Sequence, residues 1–119
     1  MKNRLVVVSL KVFSLLLLLF VLDPAHGTNR SIEIHAKRFS FTPAEITITK
    51  GETVTLELTS EDVPHSLMIK AFGINQAITK GHTSEVTITP TTAGDFKGQC
   101  GRFCGTGHGS MVFTVHVKD

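Results

Sequence analysis

The stretch EITITKGETVTLELT, from Glu45 to Thr59, reads as two strands joined by a turn. Ile46 and Ile48 alternate with polar residues, and Val54, Leu56 and Leu58 do the same after the break at Lys50-Gly51. Alternation with period two sends every apolar side chain of a strand to one face, so each segment has one side to bury. The pattern recurs outward in both directions. SIEIHA carries Ile32 and Ile34, SEVTIT carries Val86 and Ile88, and MVFTVHV ends the chain with Phe113, Val115 and Val117. Thr89-Pro90 and Ala93-Gly94 supply further breaks with turn chemistry. After the first 27 residues no apolar run recurs at helical spacing. Short alternating strands at this density predict an all-β domain, a two-sheet antiparallel sandwich.

The N-terminus is of a different kind. Lys2 and Arg4 precede an apolar run from Val12 to Leu22, and Ala25 and Gly27 in PAHG stand where a signal peptidase reads small residues. Residues 1–27 are therefore expected to be a signal peptide. The alternative is an uncleaved single membrane anchor, because Leu5 to Leu22 is broken only by Lys11 and is just long enough to span. No cysteine stands near the cleavage site, which excludes a lipid anchor there. Either way the domain works outside the cytoplasm, periplasmic or anchored to the cytoplasmic membrane.

Residues 28–119 are enough for one core and too few for two. Of the 12 Lys and Arg and the 10 Asp and Glu, Lys2, Arg4, Lys11 and Asp23 lie in the leader, which leaves nine of each sign. The domain is near neutral, without a basic stripe and without Trp or Tyr, so a nucleic-acid partner is not expected.

The chemistry concentrates in CGRFCGTGHGSM, Cys100 to Met111, which holds both cysteines of the chain, a histidine and a methionine. Five glycines between Gly98 and Gly109 make a helix improbable, each costing roughly 1 kcal/mol against alanine. The donors are instead expected on a loop between a strand ending near Gln99 and the last strand starting at Val112. A Cys100–Cys104 disulfide is one reading, favoured by the compartment, although it would close a very short loop and leave His108 and Met111 unexplained. Structural zinc on both cysteines and two histidines is another, although zinc rarely takes methionine. Copper is the third: thiolate and thioether suit Cu(I), and imidazole suits either oxidation state. A single blue-copper site needs only one cysteine, so the second is informative, since two thiolates can bridge two ions with one histidine each. His108 is one such histidine. His65, in EDVPHSL after the stiffening Pro64, is the best candidate for the other, with His82 in KGHTS as the substitute. His35 and His116 fall opposite the apolar face and read as solvated.

DVPHSL, followed 35 positions after His65 by CGRFCGTGHGSM, resembles the CuA copper domain of cytochrome c oxidase subunit II, a centre shared with nitrous oxide reductase. The resemblance runs from about FSFTPAEITITKGETVTLEL to the C-terminus. It implies a cupredoxin-like Greek-key β-sandwich over residues 28–119 with a CuA-type site of two copper ions. By position, Cys100 and Cys104 would bridge both ions. His65 and Met111 would complete one, and His108 with the backbone carbonyl of Arg102 the other. At Arg102 such subunits usually carry a glutamate that also serves a magnesium site, and they commonly have two membrane segments and a tryptophan-bearing electron path. These departures support the copper site more strongly than membership of an oxidase complex. The positive charge of Arg102 is expected to raise the reduction potential and favour a partner with an acidic patch. Phe103, Leu67 and Met68 are candidates to shield the sulfurs from water.

The function expected is extracytoplasmic electron transfer with a transient redox partner, cytochrome c or an oxidase-like subunit. The membrane is involved only if the leader is kept. The alternative is delivery or storage of Cu(I), against which residues 28–119 offer only Met68 and Met111. Metal as a purely structural brace is a third possibility. No catalytic set can be placed, so the chain is expected to be no enzyme on its own, leaving open a role as the electron-receiving subunit of an oxidase-type complex.

Overall fold

The computed structural model describes residues 29–119, and the leader expected at 1–27 lies outside them. Nine strands form: β1 (Arg30–Lys37), β2 (Ser40–Thr42), β3 (Glu45–Thr49), β4 (Val54–Ser60), β5 (His65–Ile69), β6 (Ile74–Ile78), β7 (Ser84–Ile88), β8 (Gly94–Gln99) and β9 (Val112–Lys118). They make two sheets, ordered β2-β1-β4-β7 and β3-β9-β8-β5-β6. The only helical pieces among the described residues are single 3-10 turns, Lys70–Phe72 and His108–Ser110. Among those residues no helix is long and apolar enough to cross a membrane.

The alternating residues face each other across the two sheets. Ile34, Leu56 and Leu58 from one sheet and Ile48, Val115 and Leu67 from the other are all buried. Phe41 meets Phe113 edge-on across the gap, with ring centroids 6.0 Å apart. Burying a side chain of this size contributes roughly 1.5–3 kcal/mol, so the sandwich holds itself together by apolar area.

The sheets are mixed rather than purely antiparallel, which corrects the expectation from the strand pattern. β1 pairs with β4 in parallel, and β3 with β9 in parallel. β2 ends at Thr42, before Pro43, which has no N–H to give a ladder, and the chain passes to the other sheet as β3. Lys50-Gly51 is therefore not a hairpin. It returns the chain to the first sheet, with Gly51 at φ +83° and its N–H given to Pro90 O at 2.7 Å. β3 thus lies in a different sheet from β2 and β4, its neighbours in sequence, and finds its partner in the last strand of the chain.

β5 and β6 carry weaker patterns. His65 is the first residue of β5, and register puts it opposite Ile78, the last residue of β6. The β8–β9 pair runs up to Gln99 opposite Val112, and the next residues are joined by Cys100 N–H to Met111 O at 3.1 Å. The ligand loop is thus tied at its base by two strands.

Candidate metal centre

The four side-chain donors of the loop and His65 converge at one end of the sandwich. Cys100 Sγ lies 3.6 Å from Cys104 Sγ and 4.0 Å from His65 Nδ1. Cys104 Sγ lies 3.7 Å from His108 Nδ1 and 3.9 Å from Met111 Sδ. The Cys100 thiol also donates to the backbone carbonyl of Arg102 at 2.9 Å. His65, Cys100 and Cys104 offer ligand atoms within 4.8 Å of one another, and all three are buried. Met111 is buried as well, while His108 is half-buried at the surface.

The two cysteines are free, and 3.6 Å is far beyond a disulfide bond of about 2.05 Å. It is the right spacing for sharing a metal. Two thiolates each about 2.3 Å from one ion must lie less than about 4.6 Å apart. Donor chemistry and spacing therefore both fit a soft metal. His82 is exposed on the β6–β7 turn and is not among the converging donors. His35 and His116 sit on outer faces, half-buried, bonded to Thr59 Oγ1 at 2.8 Å and Asp95 Oδ1 at 2.6 Å.

Asp62 orients His65. Burial on its own would raise the Asp62 carboxyl, but the Arg38 backbone N–H, the His65 ring and the Val63 N–H outweigh it and bring the pKa down to about 2. An ionised carboxylate has no proton to give, so His65 Nε2 must donate to Asp62 Oδ1 across their 2.7 Å contact. The Nδ1 lone pair is then free and faces the sulfurs.

Burial pushes the Cys104 thiol up to about 11, helped by the hydrogen bond and charge of Cys100 and opposed by the charge of Arg38. The copper-free protein accordingly holds that proton at neutral pH. A metal taken up as thiolate must displace it. Uptake of Cu(I) is expected to release protons, with apparent affinity rising as the pH rises, which a pH indicator in weak buffer reads directly. The same shift has a stability sign. The folded state binds the Cys104 proton more tightly than the unfolded state, so copper-free stability falls as pH rises from 9 toward 11.

Several contributors were invisible to sequence reasoning. Arg38 Nε donates to Cys104 O at 2.9 Å, and its own N–H donates to Asp62 Oδ2 at 2.7 Å. The Phe39 ring lies against Gly105 and Gly107, where an added Cβ at either glycine would intrude on it. Gly107→Ala is expected to cost about 1–3 kcal/mol and to loosen His108, read as a lowered denaturation midpoint. Asp62 had a usable signal, an acidic residue three positions before a candidate ligand in a turn. Arg38 and Phe39 had none.

Phe103 does not shield the sulfurs. It is 75% exposed, because the flanking Cys100 and Cys104 point inward at the loop tip and turn the residue between them outward. Leu67 is buried in the core, and Met68 lies on the outer face beneath Gly101.

The sequence profile of the cupredoxin-like domain family matches residues 11–113. A probable cytochrome c oxidase subunit 2 of Streptomyces avermitilis is 43% identical over 68 residues, covering 57% of this chain and 21% of the relative. The chain thus spans about a fifth of that relative's length. Cytochrome c oxidase subunit 2 of Thermus thermophilus is 30% identical over 103 residues, covering 82% of this chain and 76% of the relative. Among solved structures, a chain of a heme-copper terminal oxidase dimer superposes with a TM-score of 0.69 at 27% identity, over 76% of this chain and 66% of that one.

Proposed function

This chain belongs to the cupredoxin-like domain family and is homologous to cytochrome c oxidase subunit 2, and on that premise we propose that it is an extracytoplasmic electron-transfer protein with a CuA-type site for two copper ions. The observation that carries the reading is the sulfur pair, 3.6 Å apart, with one histidine Nδ1 beside each sulfur. Cys100 and Cys104 would be shared by both ions. His65 would complete one with Met111, and His108 the other with the Arg102 carbonyl. In this assignment each ion takes one further donor from beside each sulfur, since the Arg102 carbonyl adjoins Cys100 and Met111 adjoins Cys104. The buried Met111 thioether favours copper over zinc.

Bound copper would supply a one-electron couple spread over two metals and two sulfurs. The chain's own part is to keep the donors still and dry. Four of them are buried, the loop is tied at its base by Cys100 N–H to Met111 O, and Asp62 holds the His65 ring. Donors that need not move when charge changes keep the reorganisation cost low. With the donors assigned in this way, protein atoms would fill the metal positions and leave none for a substrate, so on this reading the domain would act as a carrier rather than as an enzyme by itself. Its place, if any, in an oxidase complex belongs to partners outside this chain, and Arg102 argues against a shared magnesium site.

The test is electron paramagnetic resonance on the copper-loaded protein, with copper content measured on the same sample. Two coppers sharing one unpaired electron equally is the expected result. A silent spectrum at one copper per chain would overturn the dicopper reading and favour Cu(I) handling.

A further inference from the structure

We propose that the exposed Phe103 is the anchor of a docking surface for a small acidic redox protein. This rests on the electron-transfer reading above. Phe103 and Val112 are the large hydrophobic side chains left exposed among the described residues, and Phe103 alone stands at the ligand loop. Its ring lies tilted against His108 with centroids 5.8 Å apart. Beside it is an open depression lined by Val63, Pro64 and Cys104 and flanked by Arg38 and Arg102. An apolar centre with polar edges is the anatomy of a protein interface, and an exposed aromatic there has no fold-stabilising role to explain it.

The charge around it selects the partner. Exposed Lys37, Arg38 and Arg102 belong to this end of the sandwich, and so does Lys80, because β6 ends opposite His65. Against them toward this end stand Glu61, Asp62, Glu85 and Glu45, the last turned to His116 Nε2 at 3.5 Å, but none of these lines the depression beside Phe103, whereas Arg38 and Arg102 do. The Asp62 carboxylate is turned inward onto Arg38 N–H, Val63 N–H and His65, so little of it faces a partner. A domain with equal numbers of basic and acidic residues thus carries basic side chains, and no acidic one, in the depression beside its ligand loop. Such a surface attracts an acidic partner and repels a basic one, and it speeds encounter in a salt-dependent way. The occupant that fits is a small redox protein whose own apolar contact patch is rimmed by carboxylates.

The experiment uses one probe in two charge states: native cytochrome c, which is basic, and the same protein with its lysines succinylated, which is acidic. Both proteins are kept fully reduced and diamagnetic, so no electron moves and only docking is read, from amide chemical shifts of the copper-loaded protein. The acidic probe is expected to shift residues 38, 63 and 102–105 and to weaken with added salt, while the native probe leaves them unmoved. Phe103→Ala is expected to bind the acidic probe about tenfold more weakly. Equal binding of the basic probe, shifts confined to another face, or undiminished binding by Phe103→Ala would each overturn the proposal. Loss of the dicopper spectrum in the parent protein would instead count against the electron-transfer reading and leave the docking map standing.

Discussion

Cys104→Ser is expected to bring copper from two ions per chain to at most one and to abolish the shared-electron spectrum. Cys104 Sγ sits at the centre of the donor set, 3.6 Å from Cys100 Sγ, 3.7 Å from His108 Nδ1 and 3.9 Å from Met111 Sδ. A serine hydroxyl at that point is a hard donor that keeps its proton at neutral pH and does not bridge soft ions. The remaining donors then fall into two groups that share no common atom. The sandwich should survive, because the substitution touches the loop and leaves the facing sheets intact. Circular dichroism checks the fold, while metal analysis and paramagnetic resonance check the site. A variant that still held two coppers with a delocalised electron would show that the thiolates are not the bridge.

The second large effect is expected at Asp62, which no metal touches. Its Oδ1 accepts from His65 Nε2 at 2.7 Å and Val63 N at 2.6 Å, and its Oδ2 accepts from Arg38 N at 2.7 Å. Asp62→Ala removes both acceptor oxygens and with them all three hydrogen bonds. The fully buried His65 is then left with an N–H and no partner, at a cost of about 1–3 kcal/mol in the copper-free protein. To recover a bond the ring must turn or move its proton to Nδ1, and either change takes away the lone pair that faces the sulfurs. Copper affinity should fall about 10–100-fold, as measured by competition with a chelator. Asp62→Asn separates the two contributions. One oxygen can still serve His65 and Val63, but the amide N–H₂ then faces the Arg38 N–H, so stability drops while most of the affinity is kept. If Asp62→Ala bound copper as tightly as the parent, ring orientation would not be what Asp62 supplies.

The fold was legible where the pattern was local. Ile46, Ile48, Val54, Leu56 and Leu58 announce buried strand faces from period two alone, and their side chains do face the core. β6 was not legible, because Asn75, Gln76 and Ala77 dilute the alternation between Ile74 and Ile78. β2 is three residues long and too short to carry a period. The mixed pairing was also out of reach, since nothing near Glu45–Thr49 says that its neighbour is the last strand of the chain.

At the site the division is the same. By itself the sequence determined the all-β class, the glycine-rich loop and the identity of the soft donors crowded into it, because strand period, glycine content and donor spacing are properties of short stretches. Only the tertiary structure decided that His65 rather than His82 faces the thiols, that Asp62 orients it, that Arg38 braces the loop and that Phe103 points to solvent. The Asp62–His65 bond spans only three residues, but the placing of His65 and Arg38 depends on contacts spanning 35 residues for His65 with Cys100, 24 for Arg38 with Asp62 and 66 for Arg38 with Cys104. Groups so far apart along the chain meet only after the sheets have packed, and a sequence pattern with a period of two residues carries no information over such distances.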